Sequence, residues 1–499
     1  MGQQFDLLKA RLNEISDVNH AASLLNWDQE TYMPNGAAQS RSEQLGTLSK
    51  ISHEMFTSPT TAKLLKLAAA EETTMKNAKK AAIVNIAKRD YDEAKKLPSE
   101  FVAEMARVNS QATHAWIDAR RQSKFELFAP WLKKNFDLAR RAADYLGYTE
   151  HIYDALLDQY EPGMKTSEVT TIFTDLRDQI VPLVHAIVAN KDRITDDCLH
   201  GQFDKQVQED LAKKVAAQLG YDFNRGRMDY TAHPFCIHFA IDDVRITTRI
   251  DETMFNTMFF SVMHEVGHAL YEQGISHDYD RTPTGTGCSL GLHESQSRMW
   301  ENLVCRSRES WVYFYPQLCE ALPVFKDTPL ETFYKAINKV EPSLIRVEAD
   351  EVTYNLHIMV RFEMEMAMLD GSLKMNDVPE AWNAKYKDYL GVVPENDAVG
   401  CLQDIHWSNG LIGYFPTYAL GNLISVQLFD RIKKDIPDLT DQFKYGEFSA
   451  LLAWLRKHIH QHGRRYLPPD LIKRASGKNL SAKPYVAYLK AKFGAIYQL

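Results

Sequence analysis

Residues 263–274, MHEVGHALYEQG, are the feature that most constrains how this chain can fold. They place His264, Glu265 and His268 in HExxH spacing and fill the neighbouring positions with apolar side chains. Residues four apart on an α-helix project from one face, so both imidazoles can bind a single metal ion. Glu265, one position round the helix, is then free to accept a proton from water at that ion. The segment predicts a buried helix with a zinc-type site.

HExxH also arises by chance in a chain with 17 histidines, so its surroundings must support the interpretation. Strand-like sequence precedes the motif, and Gly267 allows another backbone to approach the helix closely. A purely structural helix is the alternative, but it does not explain the matching second helix that follows.

A catalytic zinc site requires a third protein ligand, and we predict Glu294 in GLHESQSRMWENLV. It follows His268 by 294 − 268 = 26 residues, enough to end one helix, form a glycine-rich loop and begin a second helix. The metzincin pattern fails, because it needs glycine and histidine where this chain has Tyr271 and Gly274. The other nearby candidates are His277, Asp278, Asp280 and His293. We expect His293 to contact substrate or to support the site.

An acidic residue four positions after the glutamate ligand often supports a ligating histidine, but this chain has Arg298 there. The supporting carboxylate must therefore come from elsewhere. The candidates, which the sequence does not rank, are Glu301, Asp350 and Asp404.

Helical periodicity dominates the chain from Phe5 to about Leu25, through 38–160, and again from Glu252 onward. Interruptions fall near 276–290 and 391–412. Between about 222 and 250, β-branched and aromatic residues alternate, and the Asp242–Asp243 pair is suited to a hairpin turn. We predict a mainly α fold: a large helical body around a groove, with a small β-sheet, about 225–250, beside the HExxH helix.

No linker divides the chain, which predicts a single domain over 1–499. If it forms two lobes, 1–220 is the N-terminal helical part and 221–499 is the catalytic part that carries every motif.

Composition excludes several classes of protein. The formal net charge of −8 is unlike the basic surface of a nucleic-acid binder, and no apolar run reaches membrane-spanning length. The six cysteines form no CxxC pair, and the N-terminus has no cationic segment followed by an apolar core. We expect a cytoplasmic protein with reduced thiols and no nucleic-acid or membrane partner.

Five further patches accompany HEVGH and carry a family resemblance. They are HPF (233–235), DVRIT (243–247), HESQ (293–296), IRVEAD (345–350) and GCLQDIHW (400–407). With these patches in this order the chain resembles the carboxypeptidase Taq family, the thermostable-carboxypeptidase type of HExxH metallocarboxypeptidase, over essentially its whole length.

The resemblance implies a nearly all-helical fold with a deep groove, similar to neurolysin-like and angiotensin-converting-enzyme-like peptidases. It implies a homodimer with one zinc or cobalt ion per chain. The implied activity is release of single residues from peptides with a free C-terminus, with broad specificity and little action on a proline-blocked end.

Exopeptidase action requires a group that binds the substrate's terminal carboxylate, and arginine suits this best. Arg346 lies in an apolar pattern with helical spacing, where it is either such a receptor or an ion-pair partner of Glu348 or Asp350. The resemblance favours the receptor. Tyr418 is a candidate second donor or a core residue.

His233 and His406 are candidate donors to the oxyanion that develops during hydrolysis, or else structural histidines. Arg245 in DVRIT is expected to pair with Asp243 on its strand.

Three alternatives remain at this point: an endo-oligopeptidase, a dipeptidyl carboxypeptidase, and a catalytically inactive peptide-binding protein on the same scaffold.

Overall fold

Helices account for nearly all the regular structure in the computed structural model, which describes residues 2–499. The helices are α1 (Gln3–Thr31), α2 (Ala38–Thr57), α3 (Pro59–Ala70), α4 (Glu72–Lys76), α5 (Ala78–Ala94), α6 (Ser99–Gln122), α7 (Ala129–Leu146), α8 (Ile152–Leu157), α9 (Thr166–Val188), α10 (Lys205–Leu219), α11 (Phe255–Gln273), α12 (Leu290–Arg298), α13 (Arg308–Ala321), α14 (Leu330–Ala336), α15 (Tyr354–Asp370), α16 (Val378–Leu390), α17 (Pro416–Asp435), α18 (Leu439–Phe443), α19 (Ser449–His458), α20 (Pro468–Ser476) and α21 (Lys483–Tyr497). The predicted mainly α fold is confirmed.

A small sheet precedes the HExxH helix, as predicted. Its strands are β1 (Met228–Tyr230), β2 (Cys236–Ala240) and β3 (Asp243–Thr248), in the order β1-β3-β2. β3 runs parallel to β1 and antiparallel to β2. Val244 and Ile246 are fully buried whereas Asp243 and Arg245 are partly exposed, as expected for a strand with one face on the core, and burial becomes continuous at Thr247 and Thr248. That face packs against α11.

Two glycines allow the helices around the motif to approach one another closely. A Cβ on Gly267 of α11 would lie 2.5 Å from the Cα of Ser297 in α12. A Cβ on Gly421 of α17 would lie 2.5 Å from Cγ of Glu294. The structure therefore needs glycine at both positions, and α12 is clamped between α11 and α17 with Glu294 directed toward the motif.

One helical prediction is wrong. Residues 337–353, between α14 and α15, contain only a short 3-10 segment at Arg346–Glu348, and Val347 is 70% exposed. Pro342 disfavours helix at the residue before it, and the Asp350 carboxylate accepts backbone hydrogen bonds from Val352 and Thr353. These local contacts compete with a helix that the apolar spacing alone favours.

A continuous hydrophobic core extends from Phe5 in α1 to Tyr497 in α21. The division of the chain into one domain or two lobes stays a prediction.

Glu161, between α8 and α9, has a buried carboxyl that contacts the first turn of α12. Its Oε1 accepts the Gly291 N–H, whereas Oε2 has no hydrogen-bond partner among the described residues. Burial, opposed in part by the Gly291 N–H, raises the pKa of Glu161 to about 8. The carboxyl is therefore held in its neutral form near pH 7.

This raised pKa predicts how stability depends on pH. The pKa of Glu161 is higher in the folded protein than in the unfolded chain. Its contribution to the free energy of unfolding is therefore full below about pH 4.5 and is lost as the pH rises toward 8, by up to about 1.4 kcal/mol per pH unit. Glu161→Gln does not titrate, so its free energy of unfolding should gain roughly 2–3 kcal/mol relative to wild type from pH 5.5 to 7.5. Denaturant unfolding of both metal-free proteins at the two pH values measures this difference. A difference that does not change with pH would contradict the assignment.

Candidate metal and peptide-binding site

The two motif histidines and Glu294 come together between α11 and α12. Their donor atoms lie within 4.8 Å of one another. Nε2 of His264 and Nε2 of His268 are each 3.5 Å from Oε2 of Glu294. The structure thus brings together the three residues that the sequence predicts as ligands.

Glu301 provides the carboxylate that orients His264. Its Oε2 lies 2.9 Å from Nδ1 of His264, which leaves Nε2 directed at Glu294. A π-helical segment, Met299–Cys305, continues α12 and carries Glu301 to this position, seven residues after Glu294 rather than four. Of the three carboxylates considered from sequence, Glu301 is the one in contact. Asp350 caps a turn, and Asp404 pairs with arginines elsewhere.

Arg298 occupies the position where an acidic residue was expected. Its Nε lies 2.7 Å from Oε1 of Glu294 and its Nη1 lies 3.3 Å from Oε2 of Glu301. Although burial acts in the opposite direction, Arg298 and His264 lower the pKa of both carboxyls, that of Glu301 to about 2. Both glutamates are therefore ionised, and each keeps one oxygen on the histidine side.

His268 has a different neighbour. Its Nδ1 lies 2.5 Å from Nδ1 of His293, whose Nε2 lies 2.7 Å from Oε1 of Glu272. Burial lowers the pKa of His268 to about 3, which favours the neutral imidazole that a metal requires. Of the two roles expected for His293, the structure shows contact with the site itself.

Glu265 lies on the same helix without belonging to the donor cluster. It is 7% exposed, and burial raises the pKa of its carboxyl to about 7, partly offset by His264. A carboxyl with a pKa near neutrality can both accept and return a proton, as a general base requires.

The donor set fits a zinc-type ion. Two imidazole nitrogens and one carboxylate oxygen are the protein ligands found in catalytic zinc sites with an open position. The side chains of His264 and His268 are 19% and 15% exposed, so the cluster is reachable by water. Glu294 is 7% exposed and is held from behind by Arg298.

A second cluster surrounds Arg346. Its Nε and Nη2 both lie 2.9 Å from Oδ1 of Asp404, and its Nη1 donates to the Tyr354 hydroxyl at 3.0 Å. Arg361, which is fully buried, pairs with the other oxygen of Asp404. The expected ion-pair partners of Arg346, Glu348 and Asp350, are therefore wrong. Two arginines share one aspartate, which leaves one positive charge uncompensated within the cluster.

Tyr418 and His406 lie against this cluster. The guanidinium of Arg346 is 4.8 Å from the centre of the Tyr418 ring, and the Tyr418 hydroxyl is 3.3 Å from Nε2 of His406. Nδ1 of His406 is buried without a hydrogen-bond partner among the described residues. The structure thus brings Arg346, Tyr418 and His406 together.

His233 is exposed in the loop between β1 and β2, and no hydrogen bond within residues 2–499 joins it to either cluster. Arg245 pairs with Asp243 at 2.8 Å, as expected.

Three residues of the second cluster were missed or misassigned from sequence: Tyr354, Arg361 and Asp404. Arg361 lies within the apolar helix α15, and a buried arginine requires a carboxylate partner. That signal could have been found in the sequence, but the identity of the partner could not.

Tyr354 connects the two clusters. Its ring lies 4.4 Å from the guanidinium of Arg298, the partner of Glu294, while its hydroxyl accepts from Arg346. A HExxH helix facing a glutamate on a second helix, within a mainly helical body, defines the class of protein as a metallopeptidase.

Comparison with known proteins identifies the family. The model of the carboxypeptidase Taq (M32) metallopeptidases matches residues 7–493. Thermostable carboxypeptidase 1 of Thermus thermophilus is 41% identical over 486 residues, covering 95% of each chain. Carboxypeptidase 1 of Bacillus subtilis is 40% identical over 497 residues, covering 99% of this chain and 98% of that protein. The crystal structure of the M32 carboxypeptidase from Deinococcus radiodurans R1 superposes with a TM-score of 0.97 at 39% identity, covering 99% of this chain and 100% of the other.

The chain belongs to the carboxypeptidase Taq family of metallopeptidases. It is a metallocarboxypeptidase, a peptide hydrolase, and its family implies a divalent metal ion. The relatives do not favour the endo-oligopeptidase, dipeptidyl carboxypeptidase or inactive alternatives. No helix within residues 2–499 is both long and apolar enough to span a bilayer.

Proposed function

We propose that this enzyme releases single residues from the C-terminus of peptides, with broad side-chain preference. The observation that carries the proposal is the link through Tyr354, which joins the metal-donor cluster to the Arg346 cluster, where two arginines share one aspartate and one positive charge stays uncompensated. A free α-carboxylate is the part of a peptide that such a charge recognises.

His264, His268 and Glu294 would hold one zinc or cobalt ion. When bound, the ion acts as a Lewis acid that polarises the scissile carbonyl and lowers the pKa of water. Glu265 accepts the proton of the attacking water at its carboxylate and then delivers it to the nitrogen of the leaving amino acid. Glu301 would keep the proton of His264 on Nδ1, so that Nε2 keeps the lone pair that binds a metal.

Arg346 would bind the terminal carboxylate of the substrate. Asp404 compensates one of the two neighbouring arginines, and the substrate carboxylate supplies the second negative charge. Each guanidinium hydrogen bond to a carboxylate contributes about 1.5–3 kcal/mol. An amidated peptide has no terminal charge, and a chain that extends past the site does not place its terminal charge beside Arg346. The site would therefore act as an exopeptidase.

Tyr418 would donate to the same carboxylate, since its hydroxyl lies beside the Arg346 cluster. His406 would orient that hydroxyl or donate to the developing oxyanion. His233 would donate to the substrate only in a conformation in which the exposed loop between β1 and β2 lies against the bound peptide.

We further propose zinc or cobalt as the metal, one ion per chain, a homodimeric assembly and a cytoplasmic location. The nitrogen and oxygen donors support the metal assignment, and the six cysteines, which form no disulfide within residues 2–499, support a reducing compartment. Elemental analysis of the purified protein and sedimentation equilibrium test the metal and the assembly.

The carboxypeptidase mechanism predicts a strong dependence on the free chain end. A peptide with a free C-terminus should lose one residue at a time, whereas its C-terminally amidated twin should be cleaved about 10–100-fold more slowly. Mass analysis of a mixed peptide set, digested with added zinc or cobalt and again with a chelator, measures this ratio. Equal cleavage of the twins would indicate an endopeptidase, and release of dipeptides would indicate a dipeptidyl carboxypeptidase.

A further inference from the structure

His268 and His264 are supported in different ways. His264 contacts the carboxylate of Glu301 directly, whereas Nδ1 of His268 faces Nδ1 of a second histidine, His293, at 2.5 Å. Nε2 of His293 in turn faces Oε1 of Glu272 at 2.7 Å. The side chain of Glu272 is 3% exposed. Three side chains therefore form an unbranched path from a buried carboxylate to the imidazole of His268.

With both imidazoles neutral, the path has one consistent arrangement of protons. A carboxylate oxygen accepts, so Nε2 of His293 carries a proton and its Nδ1 offers a lone pair. That lone pair can only accept from Nδ1–H of His268, which places the lone pair of His268 on Nε2. Nε2 is the atom 3.5 Å from Glu294, in the donor cluster. Glu272 thus determines, two side chains away, which nitrogen of His268 can bind a metal.

Glu272 is itself held firmly in place. Its Oε1 also accepts from the Thr286 hydroxyl at 3.3 Å and from the Gly287 N–H at 3.2 Å, while its Oε2 lies 3.5 Å from Nδ1 of His238. A Cβ on Gly287 would lie 2.7 Å from Cδ2 of His293, so the loop before α12 closes tightly over the imidazole. These contacts fix both the oxygen and the ring that it orients.

We propose that Glu272 is a positioning residue of the metal centre, acting through His293 to hold His268 in the tautomer that ligates. The inference rests on the proposed ligand set, His264, His268 and Glu294. It assigns a function to a carboxylate on α11 that lies eight residues after the first motif histidine.

The test compares Glu272→Leu, which removes the acceptor, with Glu272→Gln, which can keep an oxygen toward His293. Loss of an outer partner of a metal-binding histidine typically costs about 10–100-fold in metal affinity. We expect Glu272→Leu to weaken zinc binding by that factor, and Glu272→Gln to recover most of it. Competition with a chromophoric chelator measures the zinc Kd.

A double-mutant cycle separates this role from a general contribution to folding. His293→Phe removes the intermediate acceptor, so adding Glu272→Leu to it should change the zinc Kd by no more than about twofold. Glu301→Leu acts on the other histidine, and its effect should add to that of Glu272→Leu. The control variant is Glu161→Gln. Glu161 is buried but has no contact with Glu272, His293 or His268, so this variant should leave the zinc Kd unchanged.

A second readout uses the metal-free protein. Imidazole ¹⁵N shifts should show His268 as the Nδ1–H tautomer in the wild type and in Glu272→Gln, and a loss of that preference in Glu272→Leu. A wild-type Kd and tautomer in Glu272→Leu would overturn the proposal, as would full additivity with His293→Phe. Neither readout depends on the bond cleaved, so normal zinc affinity without release of C-terminal residues would overturn the proposed function alone.

Discussion

Glu265→Gln is expected to lower kcat for a free-acid peptide by about 10²–10⁴-fold. The amide can still accept a hydrogen bond from water, but it cannot take the proton that hydrolysis must remove and return. Because Glu265 lies outside the donor cluster, zinc content and zinc Kd should stay close to the wild-type values. KM should change little, since binding of the substrate's chain end depends on other residues. Steady-state kinetics and elemental analysis measure both parts of this prediction.

The control is Glu161→Gln, which makes the same change at another buried carboxyl with a raised pKa. It should keep wild-type kcat. If Glu265→Gln retained substantial activity, Glu265 would not be the general base. If it lost zinc, the variant would report on the ligand set rather than on proton transfer.

Arg346→Gln should remove the preference for a free chain end. We expect kcat/KM for a free-acid peptide to fall about 10–100-fold, because charge-assisted hydrogen bonds to the terminal carboxylate are lost. Slow cleavage of the amidated twin should be unaffected, so the ratio between the two substrates approaches one. The fold should persist, because Asp404 remains paired with Arg361 and no buried charge is left without a partner.

A matched control is Arg464→Gln, since Arg464 also pairs with an aspartate through two of its nitrogens, here with both oxygens of Asp90 at 2.8 and 2.9 Å. It should keep the wild-type substrate ratio. Arg346→Lys restores the charge without the planar fork and should recover only part of kcat/KM. An unchanged preference for free ends in Arg346→Gln would show that another group binds the carboxylate.

Local spacing was sufficient for much of the metal-donor cluster. Residues four apart on a helix must share a face, so the proximity of His264 and His268 follows from the helix alone. Glu294 required only a second helix within reach, and the apolar pattern around it indicated one. The ligand roles of these residues, like the roles of Glu265, Arg346 and Tyr418, stay predictions until the variants are measured.

Periodicity misled where the chain makes local side-chain contacts instead of helix. The apolar spacing around Arg346, in residues 344–357, is suited to a helix, but Pro342 and the Asp350 turn give an irregular segment that carries Arg346 on a 3-10 turn. Helical spacing predicts a partner for Arg346 on the same helix, at Glu348 or Asp350. The partner in the structure lies 58 residues later in the chain, at Asp404.

The sequence by itself determined the helical class, the small sheet, the family resemblance and the pairing of residues within one helix, because these depend on spacing along the chain. The tertiary structure alone decided that Asp404 lies between Arg346 and Arg361, that a π-helical segment brings Glu301 to His264, and that Glu272 reaches His268 through His293. These contacts join residues that are distant in sequence or lie on different elements. They form only when packed helices bury charged groups that then require partners, and no spacing rule specifies which partner will be near.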